Sequence, residues 1–181
     1  IFEERYKQLI NDCRSEAVTF GIPVYINDTI TFGTEVQLVE VVNTYENGSM
    51  DVLCVARQIF KVITFDNSLD GKLYAGGNVQ YLENVKDGNL ADKEKVLEKL
   101  ETLYSMMEVS FVPIDPNKFE IYHLAHKMGL SIEQEYQLLQ LSHENDRLQF
   151  ILKHLTTTIQ VLSEINRTKM LIELNGHFKN F

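Results

Sequence analysis

Ile1-Phe2-Glu3-Glu4-Arg5-Tyr6-Lys7-Gln8-Leu9-Ile10-Asn11-Asp12-Cys13 is the stretch from which the fold can be read. Tyr6, Leu9, Ile10 and Cys13 recur at helical spacing and make one apolar stripe, while Glu3, Glu4, Arg5, Lys7 and Asp12 mostly fill the opposite side. Glu3 and Glu4 in the first turn suit the positive end of the helix dipole. Strand-like sequence follows at once. A helix of this kind is expected to lie as a lid over a sheet, held down by Tyr6, Leu9 and Ile10.

Outward from that helix, residues 20–25 read as a short apolar strand, and Asn27-Asp28 supplies turn chemistry. Residues 34–44 alternate, with Val36 and Leu38 facing one way and Val39 and Val41 the other, so both faces are expected to be covered. Asn47-Gly48 is a strong hairpin signal, and the return strand, residues 50–56, carries Val52, Cys54 and Ala56 on one face. Another alternating strand spans residues 58–65. The last spans 73–82, where Gly76-Gly77 predicts a bulge or a close approach of backbone. Successive short strands without intervening helices argue for an antiparallel or mixed barrel rather than a βαβ sheet.

Across Asp87-Gly88 the period changes from two to between three and four. Val96, Leu100, Leu103 and Met107 form a helical stripe, widened by Leu97 and Tyr104 and ended near Pro113. Asp115-Pro116 is a start signal for a helix carrying Ile121, Leu124, Ala125 and Met128, with Gly129 as its C-cap. Ser131 to Gln134 spells a capping box for a short helix with Ile132, Tyr136 and Leu139 as its apolar positions. From Ser142 a long helix carries Leu148, Leu152, Leu155, Ile159 and Leu162, and the weak helix formers Thr156 to Thr158 mark where it would kink, if it kinks at all. Asn175-Gly176 is expected to close it. The chain therefore reads as an α+β protein: residues 1–88 rich in strand, residues 89–181 helical.

A net charge of −9 over 181 residues weighs against nucleic acid or an anionic membrane as a partner, since both reward fields of Lys and Arg. No apolar run approaches the roughly 20 residues that cross a bilayer. Two cysteines, Cys13 and Cys54, sit on apolar stripes of different elements. That is too few for a disulfide scaffold, and a reducing cytoplasm is the expected location.

Ile1-Phe2-Glu3-x-Arg5-Tyr6, an amphipathic helix and then Phe20-Gly21-Ile22-Pro23 resemble the start of the Lon protease N-terminal (substrate-binding) domain family. The stretch from Val52 to Val62 is similar to the family's paired strands, and Tyr74-Ala75-Gly76 to the strand after them. Glu4 stands where members usually carry Pro, Ala56 where they carry Gly, and Ile59 near where they carry Arg. The likeness extends over residues 1–155 and implies a PUA-like β pseudo-barrel followed by a helical bundle. It also implies a strand ahead of Ile1 that this sequence does not show. Full-length Lon proteases add ATPase and Ser-Lys protease modules. This chain has no Gly-rich loop ending in Gly-Lys-Ser/Thr and no room for either module, so a stand-alone, non-catalytic member is the expectation.

Candidate chemistry in the sequence is sparse. His123 and His126, with Glu120 one turn earlier, have a spacing that can reach one metal, but an exposed polar helix side is the plainer reading. His143, His154 and His177 read as surface residues. No residue is assigned a catalytic, metal-binding or cofactor-binding role, and no cofactor is expected. The resemblance implies capture of unfolded or degron-bearing polypeptide. The places where rings or backbone could be offered are Phe20, Ile22, Tyr25, Phe32, Tyr74, Gly76 and Gly77, against the alternative that these aromatic and aliphatic residues are core. A homo-oligomer formed through the helical half is a further expectation. The rival reading is a small-molecule binder or an enzyme that uses a barrel cavity.

Overall fold

The computed structural model describes residues 1–177, which form two compact units, one of residues 1–83 and one that begins at Asn84. In the first, α1 (Glu4–Glu16) precedes four strands, β1 (Phe20–Ile26), β2 (Thr29–Thr44), β3 (Met50–Asp66) and β4 (Gly76–Tyr81). They form one antiparallel sheet in the order β1-β2-β3-β4. The stretches read as two strands at 50–56 and 58–65 are one long strand, whose pairing with β2 shifts register between Thr34 and Val36. A bulge absorbs the change of face that looked like a break.

The two tight turns follow from their residues. Asn27 and Asp28 both adopt left-handed backbone (φ 50° and 58°), as a two-residue type I′ hairpin requires. Gly48 takes φ 75°, and its N–H donates to the Tyr45 carbonyl. Gly76-Gly77 does mark a close approach: a Cβ on Gly77 would lie 1.9 Å from the Thr64 carbonyl oxygen.

The core of this unit is Ile10, Cys13, Val36, Met50 and Phe60. The α1 stripe is narrower than its periodicity suggests. Ile10 and Cys13 are buried and Leu9 half-buried, but Tyr6 is 40% exposed, beneath the Arg5 guanidinium. Coverage of β2 on both faces is also corrected: Val39 and Val42 are 54% and 63% exposed, and the pairing with β3 shifts register between Leu38 and Glu40 and again between Val41 and Asn43, so regular alternation ends there.

In the second unit, α2 (Leu90–Met106) packs on α5 (Glu144–His177). Between them lie a 3-10 turn (Pro116–Lys118), α3 (Ile121–Leu124), a second 3-10 turn (Ala125–Lys127) and α4 (Ile132–Leu139). Val96, Leu100, Leu103, Phe119, Ile121, Met128, Leu138, Leu148, Ile151 and Leu155 fill the centre. Met107, read as part of the stripe, is instead the exposed C-cap of α2. The capping box at Ser131 and Gln134 forms in both directions. The long helix runs unbroken over 34 residues, on the order of 50 Å, through Thr156 to Thr158. Thr156 and Thr157 return their hydroxyls to the carbonyls four residues back. The helix passes the closure expected at Asn175-Gly176, and the surface position expected for the His177 side chain lies outside the described residues.

Residues 84–89 belong with the helices because they close the start of α5. The Val85 N–H donates to Ser142, and the Glu144 N–H donates to Val85. Asp87 accepts from the Asn145 N–H at 3.0 Å and pairs with His143 at 2.7 Å. Arg147, 4% exposed, donates to the carbonyls of Leu141 and Ser142 and to Asn84. Buried Glu144 pairs with Lys93 at 2.8 Å.

Candidate functional site

Residues of all four strands line a cleft of about 230 Å³. It gathers Phe20, Gly76 and Gly77 of the seven expected contact residues and adds Pro23, Glu35, Phe60 and Tyr81. Phe60 forms its floor. The ring lies so close to β1 and β2 that a Cβ on Gly21 would sit 2.9 Å from it, and one on Gly33 2.6 Å. The polar groups of the cleft are already engaged with one another: Glu35 accepts from the Thr19 hydroxyl at 2.7 Å and from the Tyr81 phenol at 3.0 Å. The bond to Glu35 raises the Tyr81 pKa above its usual value. The volume is below the roughly 300–1,000 Å³ of ligand pockets.

The other four expected residues do not line this cleft. Ile22 and Tyr25, 54% and 68% exposed, stand on β1, which among the described residues pairs with β2 alone; they are not core. Tyr25 donates to Asp28 across the hairpin turn. Phe32 is half-buried on β2 opposite Lys61. Tyr74 has a structural position: its phenol donates to Asp12 at 2.8 Å, beside the Lys72 ammonium at 2.7 Å, which ties the β3–β4 loop to α1. Lys72 first, and Tyr74 second, hold the Asp12 carboxyl below the usual range. Burial pushes up the pKa of both the Cys13 and Cys54 thiols, which are free, and the two are near enough for Cys54 to add to the shift at Cys13.

A larger site lies in the helical unit, where the sequence reading placed none. The end of α2, the second 3-10 turn, α4 and the middle of α5 enclose an open groove of about 910 Å³. Its floor is apolar: Leu103, Met128, Phe150 and Leu162. Met107, Val109, Val161 and Ile165 carry the apolar surface out to an exposed rim. At the base stands His154, whose ring N–H at Nε2 donates to the Met128 carbonyl at 3.0 Å. That bond leaves Nδ1 to accept from the Gln134 amide at 3.3 Å. Gln134 is also the return half of the α4 capping box, so one side chain fixes the helix start and the imidazole together. The surface position expected for His154 is thereby corrected to a half-buried, two-bonded one. The Tyr104 phenol donates to the Lys127 carbonyl at 3.2 Å and holds the turn to α2.

Lys127, Lys153 and His126 stand around the groove. His126 and His123 are exposed, on the second 3-10 turn and on α3. Among the described residues no group of three or more His, Cys, Asp or Glu is arranged to hold a metal ion, and no helix is long and apolar enough to cross a membrane. One signal for the groove was present in the sequence: on α5 the apolar positions Val161 and Ile165 fall on the side of His154 and Thr158, off the buried stripe of Leu148, Ile151 and Leu155. They were unremarkable without knowledge of where the core ends.

No protein-family model and no curated protein matches the sequence. The fold, however, is shared with solved structures. A Lon N-terminal domain protein from Xanthomonas campestris is similar at 23% identity with a TM-score of 0.64, over 84% of this chain and 85% of that one. The N-terminal domain of Lon protease from the Mycobacterium avium complex is similar at 14% identity and a TM-score of 0.58, over 85% and 86%. The chain thus has the α+β fold of Lon N-terminal domains, an antiparallel sheet followed by helices.

Proposed function

We propose that this chain is a non-catalytic polypeptide-binding module that captures unfolded or flexible segments. The observation that carries the reading is the groove on the helical unit: open, apolar at its floor and rim, and large enough for several side chains of an extended or helical segment. The fold it shares with Lon N-terminal domains, and the resemblance of its first quarter to that substrate-binding family, support the same role. Ile22 and Tyr25 on β1 are proposed as auxiliary contacts. Two free thiols, one buried and one half-buried, support a reducing compartment such as the cytoplasm.

The test is a titration with a permanently unfolded, fluorescently labelled protein and with its folded form, at low and moderate salt and without ATP. Tighter binding of the unfolded form is expected, and it should persist at moderate salt because apolar burial drives it. Val161→Asp with Ile165→Asp, at two exposed rim positions, should remove it. Equal binding of the two forms, or binding untouched by that double change, overturns the reading.

A further inference from the structure

The charge around the groove is opposite in sign to the charge of the chain. The protein carries −9 overall, with 26 acidic against 17 basic side chains. Yet the basic side chains lining the groove are Lys127, Lys153, His126 and His154, and among the described residues no Asp or Glu lines it. Neither lysine is in an ion pair among the described residues. Other lysines, such as Lys7, Lys72, Lys86, Lys93 and Lys95, each hold a carboxylate. Glu108, Glu133 and Glu164 are close in sequence to lining residues but do not line the groove. Apolar surface enclosed by unpaired cations is therefore a local feature, built where an acidic chain would by default place carboxylates.

Resting on the polypeptide-binding reading above, the geometry points to a specific class of occupant: a segment whose apolar side chains are flanked by acidic residues. The apolar side chains enter between Leu103, Phe150 and Leu162, and the flanking carboxylates meet Lys127 and Lys153 at the rim. The two lysines stand on different elements, the second 3-10 turn and α5, which the His154–Met128 hydrogen bond joins, so carboxylates beside the apolar centre are engaged by both. The same arrangement disfavours segments flanked by Lys or Arg. The groove thus selects by charge pattern in addition to apolarity.

Three peptides with one shared apolar centre, flanked by Glu, by Gln or by Lys, distinguish this from simple apolar capture. Each is titrated against the whole chain and against the Lys127→Glu, Lys153→Glu double variant. Both positions are exposed, and retained folding of the variant is checked by far-UV circular dichroism. The Glu-flanked peptide is expected to bind the native protein roughly tenfold tighter than the Lys-flanked one at low salt, with the order reversed in the double variant and the gap narrowing as salt rises. Equal binding of all three peptides overturns the charge selection while leaving the polypeptide-binding reading in place. Binding of none overturns both. Laurate bound more tightly than any peptide, and lost with Val161→Asp, would make an anionic acyl chain the occupant and overturn the proposal. So would self-association in sedimentation that Lys127→Glu with Lys153→Glu dissolves, which would give the groove to a second copy of the chain.

Discussion

Gly21→Ala and Gly33→Ala, each made with Phe60 intact and with Phe60→Leu, test how the sheet unit is packed. A Cβ on Gly21 meets only the Phe60 ring, with its nearest atoms at 2.9 and 3.0 Å. A Cβ on Gly33 meets the ring at 2.6 Å, and also the Pro23 Cα at 2.6 Å and the Ile22 carbonyl oxygen at 2.7 Å. Phe60 is 3% exposed and has little space to swing aside. Overpacking of this kind costs about 1–3 kcal/mol. Replacing Gly returns about 0.4–1 kcal/mol through the unfolded chain, so Gly21→Ala should lose a net of about 1–2 kcal/mol. Phe60→Leu alone costs less than the roughly 3–5 kcal/mol of a Phe→Ala truncation. In that background Gly21→Ala should become neutral or stabilising, because the new methyl enters the space the ring vacated. Gly33→Ala should remain destabilising, since backbone atoms of β1 cannot yield. The coupling between positions 21 and 60 is then about 1–2 kcal/mol, within the range for residues in contact. The chain has no Trp, so urea unfolding is followed by far-UV circular dichroism. Amide exchange in β1 to β3 assigns the loss to the sheet unit in case the two units unfold separately. An equal cost of Gly21→Ala in both backgrounds would refute the packing described.

On α1, Ile10→Ala should cost about 2–5 kcal/mol because the side chain is 1% exposed, whereas Tyr6→Ala should cost about 1 kcal/mol or less; scanning calorimetry separates the two. Arg147→Met leaves the Leu141 and Ser142 carbonyls and the Asn84 amide without their donor, a loss of about 1–3 kcal/mol per unsatisfied group that a lowered urea midpoint would show. The Asp87–His143 pair gives a pH dependence. The hydrogen bond and charge of Asp87 raise the His143 pKa, with Asp146 adding and Arg147 opposing, so its contribution is complete below about pH 6.5 and fades as pH rises through the raised folded value. The Asp87 carboxyl is lowered, chiefly by the Asn145 N–H and then by His143, so its contribution is lost as pH falls below about 4. Melting temperature against pH should show both limbs, and Asp87→Asn should flatten them. An unchanged profile would remove the pair from the account.

Much of the architecture was legible because short-range rules decided it. Period two up to Tyr81 and period three-to-four from Leu90 set strands before helices. Asn27-Asp28, Asn47-Gly48 and the Ser131–Gln134 box each form the turn or cap that their own side chains and backbone freedom dictate. The exposure of Ile22 and Tyr25 was not legible, because alternation along β1 does not say which strand lies at an edge. Nor was the closure of α5, whose cap Asp87 lies 58 residues before the amide it receives. The groove depended on tertiary structure in the same way. Val161 and Ile165 continue down α5 like any apolar positions, and only the end of α2 and the turn at Met128 determine that the core stops short of them. Local sequence fixes the conformation of each segment. Which apolar faces remain uncovered, and which charges surround them, depends on contacts between residues far apart in the chain, and those exist only once it has folded.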